Sequence, residues 1–498
     1  MTAVTADERG RTWFGHPRGL ATLFFTEMWE RFSYYGMRAL LMLFMTAAIT
    51  AENPGMGMNV ETAAAIYGLY TGMVYLLALP GGWVADKLWG QKKAVFVGGI
   101  IIALGHFSMA FPSDPTFYLG LVLIVIGTGL LKPNVSAIVG DLYPEGGARR
   151  DAGFSVFYMG INLGAWLGPL LCGLFGEGYN WHWGFSLAGI GMTLGLIQYK
   201  IGAKHLAGAG ELAANDPPDV LSRRARNFYL ILAAIIGVIA IGGYLMSTGA
   251  LPITIAQVAT GLGYAIIILS ILYFVYLIGF AGYDAPQQKR LGVIFFLFIM
   301  AAVFWSGFEQ AGSSMNLFAF DLTDRVIFGW EMPASWLQQV NPIFIIIFAP
   351  IFGTVWTWLA RRNANPSIPV KFGLGLLGLS AGFFVLAWGA ANASVDDKAS
   401  MSWLVVTYFL HTVGELSLSP VGLSSITKLA PRDRVGQMMG VWFVGAALGN
   451  LFAGLVAGRL ESLAPSALFW NVALYVLVAG VVALLLAPII KRLIGNIE

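Results

Sequence analysis

The segment TEMWERFSYYGMRALL places Glu27, Glu30, Arg31, Tyr34 and Arg38 at offsets of 0, 3, 4, 7 and 11. At about 100 degrees per residue these offsets share one helical face, an arc of roughly 100 degrees. Carboxylates beside guanidiniums on one face can hold and pass protons, and a guanidinium released from its carboxylate can take an anionic group. Three more ionisable groups stand in apolar surroundings: Lys132 in GTGLLKPN, Glu309 in FWSGFEQ and Glu415 in HTVGELSLSP. Pro133 removes a helix hydrogen bond, and Gly127 and Gly129 loosen the turn before Lys132, leaving carbonyls open to a ligand or water. Basic groups in the first half of the chain opposite an acid in the second suit a zwitterion whose charges are separated by a short chain. Hydrolytic chemistry has no support, because neither H-E-x-x-H nor G-x-S-x-G occurs. His411 lies near Glu415 but reads as a hydrogen-bonded core residue, and His16, His106, His182 and His205 read as structural or solvent-facing. The single cysteine, Cys172, offers neither an internal disulfide nor a metal cluster.

These charges need elements that keep them from lipid. Of the 498 residues 57% are hydrophobic and only 11% charged, where soluble domains carry roughly 25% charged residues. Most of the surface therefore faces hydrocarbon, and a charge at the bilayer centre costs several kcal/mol unless it lines a cavity or pairs with another helix. A net charge of +3 without a basic tract excludes a nucleic-acid partner.

Apolar segments long enough to span are predicted near residues 19–48, 61–85, 93–111, 116–141, 152–175 and 182–201. A pair follows near 228–247 and 253–281, and six more near 290–319, 335–360, 370–391, 401–428, 435–458 and 466–489. The polar start MTAVTADERGRTWFGHPRGL leads into the first span without an A-x-A-like site, so it does not read as a cleaved signal. The fold class expected is an all-α integral membrane protein of fourteen transmembrane helices. The domains would be a six-helix bundle over 1–201, a cytoplasmic linker over 202–227, an inserted hairpin over 228–281 and a second six-helix bundle over 289–492. With the N-terminus inside, 23 of the 29 basic residues, Arg9 and Arg11 among them, fall on the cytoplasmic side. Only Arg325, Lys398 and Arg459 fall outside, and Arg31, Arg38 and Lys132 lie within spans. This asymmetry supports both the span count and cytoplasmic termini. Two six-helix blocks also fit the parallel repeats of major facilitator transporters, which bind substrate near the midplane. GGWVADKLWGQKK, residues 81–93, is similar to that superfamily's loop motif, whose glycines permit a tight turn and whose acid, Asp86 here, can meet a helix N-terminus.

ERFSYYGMRALL, GGWVADKLWGQKKAVFVGG and FYMGINLGA together resemble the proton-dependent oligopeptide transporters, across both six-helix blocks. The resemblance implies a bacterial inner-membrane symporter that imports di- and tripeptides with protons by alternating access. Protons would be the coupling ion, with no other cofactor, and the protein would be a monomer. By resemblance, Glu27, Glu30 and Arg31 match the E-x-x-E-R motif associated with proton coupling, and Arg38 matches the base that meets the acid of the seventh core helix, Glu309. Lys132 matches the lysine paired with Glu415. Asn162 and Asn341 match positions that hold the peptide's amino end with Glu415, and Tyr34, Tyr35, Tyr75, Trp305 and Trp442 match pocket aromatics. Arg31, Arg38 and Lys132 would face the peptide carboxylate. Animal members carry a second-helix histidine that Ile66 to Leu69 lack, so proton transfer would rest on carboxylates. The competing reading is a related symporter for another small zwitterion or an anion such as nitrate.

Overall fold

The computed structural model describes residues 12–144, 147–212, 216–432 and 434–495, so Arg9 and Arg11 lie outside the described residues. Fourteen long helices follow one another. The first block is α1 (Arg18–Thr46), α2 (Val60–Trp89), α3 (Gln91–Met109), α4 (Asp114–Asp141), α5 (Gly147–Gly178) and α6 (Trp181–Gly202). The hairpin is α7 (Pro218–Ser247) and α8 (Ile255–Gly279). The second block is α9 (Ala285–Asp321), α10 (Ala334–Arg361), α11 (Ile368–Gly389), α12 (Ser402–Leu429), α13 (Val435–Glu461) and α14 (Pro465–Ile494). Twelve are apolar and long enough to cross a membrane; α1, with its five charges, and α6 complete the set.

Two helices are interrupted where the sequence dictates it. α2 runs regularly from Val60 to Leu76, turns at Leu77, and resumes from Ala78 into a π-turn over Ala85–Trp89. Pro80 lacks the N–H that would bond to the Leu76 carbonyl and its ring crowds that carbonyl, so the break falls one turn before it. Asp86 is exposed on the π-turn, and Gly90 ends it at φ 77°. α9 is regular to Phe308, tightens into a 3-10 turn over Glu309–Gly312, and restarts at Ser314. Gln310 secures this break by donating to the carbonyls of Ser306 at 3.1 Å and Ala453 at 3.0 Å.

The chain forms two compact units: Met1–Ser33, Leu77–Gly164 and Ala188–Val258 in the first, and Tyr34–Leu76, Ala165–Leu187 and Ala259–Glu498 in the second. The first is built around Leu20, Leu23, Val95, Leu131, Val135 and Met192. Its α2–α4 crossing needs glycine, since a Cβ on Gly81 would sit 1.9 Å from the Gly129 carbonyl oxygen. α7 buries none of its own residues, yet Phe228 packs on Trp83 at 5.8 Å and Arg224 donates to the Lys87 carbonyl at 3.2 Å.

In the second unit, segments of the first block pack directly on the second block. α2 meets α13 backbone to backbone, where a Cβ on Gly68 would lie 2.9 Å from the Gly454 Cα. α5 meets α10, with the Trp336 indole donating to the Leu170 carbonyl at 3.0 Å. α1 meets α9, where Asn316 donates to the Ala39 carbonyl at 2.8 Å. α8 contributes Ile266 to a cluster with Phe298, Ala302 and Leu448.

Candidate functional site

Within the first unit, Glu27, Glu30 and Arg31 form one buried group on α1, each no more than 2% exposed. The Arg31 guanidinium donates to both Glu30 oxygens, at 2.6 Å to Oε1, and its Nε lies 3.3 Å from Glu27 Oε1. Among the described residues Glu27 Oε2 has no hydrogen-bond partner. Two carboxylates face the Arg31 guanidinium, and the Lys132 ammonium also attracts Glu27, so two acids meet two bases in this buried group. Lys132 belongs to the same unit and is partly buried on α4. Asn162, 5% exposed on α5, donates to the Tyr158 carbonyl at 3.0 Å.

Within the second unit, Arg38 donates to Glu309 Oε2 at 2.7 Å, with both residues buried. The pair joins α1 to the interrupted turn of α9. Tyr35 and Tyr34 flank the guanidinium, with ring centroids 5.2 and 5.9 Å from its central carbon. Tyr34 also stacks on Tyr70 at 6.2 Å. Tyr67, fully buried on α2, was not singled out from the sequence because its neighbours there are small and apolar. Its hydroxyl and Arg38 Nε both lack hydrogen-bond partners among the described residues. They converge on Gly312, where a Cβ would fall 1.9 Å from Tyr67 Oη and 3.5 Å from Arg38 Nε. The glycine that ends the 3-10 turn therefore keeps room beside the ion pair.

Glu415 and Asn341 also come together here. Asn341 donates to Glu415 Oε2 at 3.1 Å and to the Thr412 hydroxyl at 3.0 Å, which fixes its amide across the α10–α12 seam. Trp305 is half-buried one turn before Glu309, and its indole N–H has no partner among the described residues. Tyr75 is half-buried near the end of the regular part of α2. Trp442 is 7% exposed and packs edge-on to Phe372 at 6.5 Å, with its ring against Gly422. His411 is buried against Phe383 at 4.6 Å.

Charged groups buried within spans are rare and mark candidate functional sites in a membrane protein, and one of these, Glu309, stands on the interrupted turn of α9. A sequence model described as the POT family matches residues 92–467. The chain belongs to the POT family. It is 44% identical over 513 residues to the peptide transporter YePEPT of Yersinia enterocolitica subsp. palearctica, covering 100% of this chain and 99% of that protein. It is 36% identical to a di-/tripeptide transporter of Lactococcus lactis subsp. cremoris, with 98% of each chain covered. Its structure is similar to that of the peptide transporter POT in complex with sulfate, at a TM-score of 0.89, 39% identity and 97% coverage of both chains. A POT family transporter in complex with 5-aminolevulinic acid matches at a TM-score of 0.88 and 33% identity, over 96% of this chain and 98% of that one. This POT chain is a multi-pass membrane transporter with the major facilitator fold, not an enzyme.

Proposed function

We propose that this chain imports di- and tripeptides together with protons across the bacterial inner membrane, by alternating access, with both termini cytoplasmic. The observation that carries the reading is the buried Arg38–Glu309 pair, which ties the first block to the broken helix of the second. A proton on Glu309 removes the charge that holds Arg38, and the freed guanidinium takes the peptide carboxylate. Glu415, held by Asn341 at 3.1 Å, takes the peptide amine. Peptide and proton binding then favour each other, as a coupling free energy between two sites requires. Glu27, Glu30 and Arg31 hold a second proton-accepting group on the same helix. One proton moving down about 100 mV supplies roughly 2.3 kcal/mol, and one pH unit about 1.4 kcal/mol more, enough for several-hundred-fold accumulation. Basic residues crowd the loops on the side of the termini, so the ends at Thr46, Val60, Gly178 and Ala334 face outward. The distinguishing experiment is uptake of labelled dialanine into proteoliposomes with and without an inward proton gradient. Accumulation only with the gradient is expected; equal uptake in both conditions overturns proton coupling.

A further inference from the structure

Two contacts in the second unit repeat one another across the two six-helix blocks. α5, the fifth span of the first block, carries Glu177 in its last turn, and that carboxylate accepts the backbone N–H groups of Ala334 at 2.7 Å and Ser335 at 3.0 Å. Those groups open α10, the second span of the second block. α13, the fifth span of the second block, ends on Glu461, whose carboxylate accepts the N–H of Val60 at 2.7 Å. Val60 opens α2, the second span of the first block. The fifth span of each block thus reaches the second span of the other, with an acid placed on a helix start both times. The first N–H groups of a helix have no acceptor within it and carry partial positive charge, so a carboxylate satisfies them better than water does.

We propose that Glu177 and Glu461 are a symmetry-related pair of gating latches, each closing the outer side by capping a helix of the opposite block and each letting go when that side opens. Only the assignment of this side as outer rests on the transport reading given above. The latches are unequal. Glu177 uses both oxygens, and Asn53 holds its turn by donating to the Gly176 carbonyl at 2.7 Å. The loop it grips is itself pinned, because Arg325 donates to the Met332 carbonyl, to the Phe320 carbonyl at 3.3 Å and to Glu331 at 2.8 Å. Glu461 is exposed and makes the single bond. Glu177 is therefore the main latch and Glu461 the auxiliary one.

The test is pulsed dipolar spectroscopy on full-length protein in proteoliposomes, with spin labels at Glu52→Cys and Ser462→Cys, exposed positions in the first and second blocks. From the usual strength of a helix cap, Glu177→Ala shifts the closed-to-open ratio about fivefold toward longer distances, Glu461→Ala less, and the double variant more than either. Asn59→Ala is the control, because Asn59 caps α2 from within its own block, accepting the Thr62 N–H at 2.8 Å. A double variant with the wild-type distance distribution overturns the proposal. So does an Asn59→Ala shift as large as that of Glu461→Ala, which would reduce the acids to ordinary helix caps. If the alanine pair fails to fold, the shape-conserving pair Glu177→Gln and Glu461→Gln must still shift the ratio measurably, and an unchanged distribution refutes the latches. The distances need no peptide, so shifted distances in a protein that does not accumulate dialanine would overturn the substrate reading and leave the latches standing.

Discussion

α1 carries two charge clusters of opposite design. Glu27, Glu30 and Arg31 lie within five consecutive residues, so the helix that forms them also holds them together, and their contacts persist in any state that keeps α1 helical. Arg38 and Glu309 are 271 residues apart, and their contact exists only while α1 and α9 are packed against each other. A local cluster can store a proton without reporting on conformation. A long-range pair turns conformation into charge state, because parting the helices strands both charges. Under the proposed mechanism the chain would separate keeping a proton from sensing a gate.

Breaking the long-range pair has the largest expected effect. Arg38→Ala leaves Glu309 buried without its cation, and loss of one partner of a buried pair costs about 3–5 kcal/mol. Uptake should vanish and the melting temperature fall, by transport and thermal-shift assays. Glu309→Gln keeps the shape and a hydrogen-bond acceptor but holds the neutral state. It should still bind peptide while losing accumulation against a gradient; wild-type accumulation would remove Glu309 from the coupling mechanism.

The local cluster should respond more selectively. Glu27→Gln or Glu30→Gln removes a titratable site and keeps the helix, so proton-driven uptake should fail while peptide counterflow, which needs no net proton movement, persists. Equal loss of both activities would assign these acids to structure and erase the contrast with Arg38 and Glu309.

Gly312→Ala sharpens the comparison by crowding one cluster alone. Overpacking costs about 1–3 kcal/mol, and with the added methyl 1.9 Å from Tyr67 Oη the Tyr67 side chain must shift away from its place beside Arg38. Transport should drop and should recover in part in Gly312→Ala combined with Tyr67→Phe; no recovery would mean that the space beside the pair is not what the glycine protects. The smallest effect belongs to Asn341→Ala. Loss of one hydrogen bond to a charged group costs about 1.5–3 kcal/mol when fully buried, and less at this half-buried site. Affinity for free dialanine should fall several-fold and affinity for N-acetyl-dialanine should not, as measured by calorimetry.

Much of this was legible in the sequence because ionisable residues in hydrocarbon have few explanations. The stripe on α1, Glu309 and Glu415 stood out by type alone, and fourteen apolar runs mark the helices. What stayed hidden depends on contacts between distant segments. Nothing in AAAIYGLYTG sets Tyr67 apart from other aromatics, and its place beside Arg38 follows from how α2 packs in the second unit. Trp442, which lies against Gly422 and Phe372, illustrates the converse, since an aromatic in a span reads alike whether or not it also lines a pocket. Glu177 and Glu461 sit at span ends, where acids are common, and only the repeat relation between the blocks distinguishes them.

The glycine seam between α2 and α13 has a consequence for how readily these two helices move apart. Gly68 and Gly454 meet through bare backbone, with no side chain of their own wedged between the helices. Where interlocked side chains pack together again, each gives up rotamer freedom, at up to about 2 kcal/mol for a long chain. A glycine surface has no rotamers to rearrange, so the seam can separate and re-form as a dry sliding face. Its opening rate would then follow the few hydrogen bonds at its end rather than repacking along its length. Leucine at Gly454 would wedge the two backbones apart, since its Cβ alone would fall 2.4 Å from the Ala64 carbonyl oxygen, and would hinder the seam from closing.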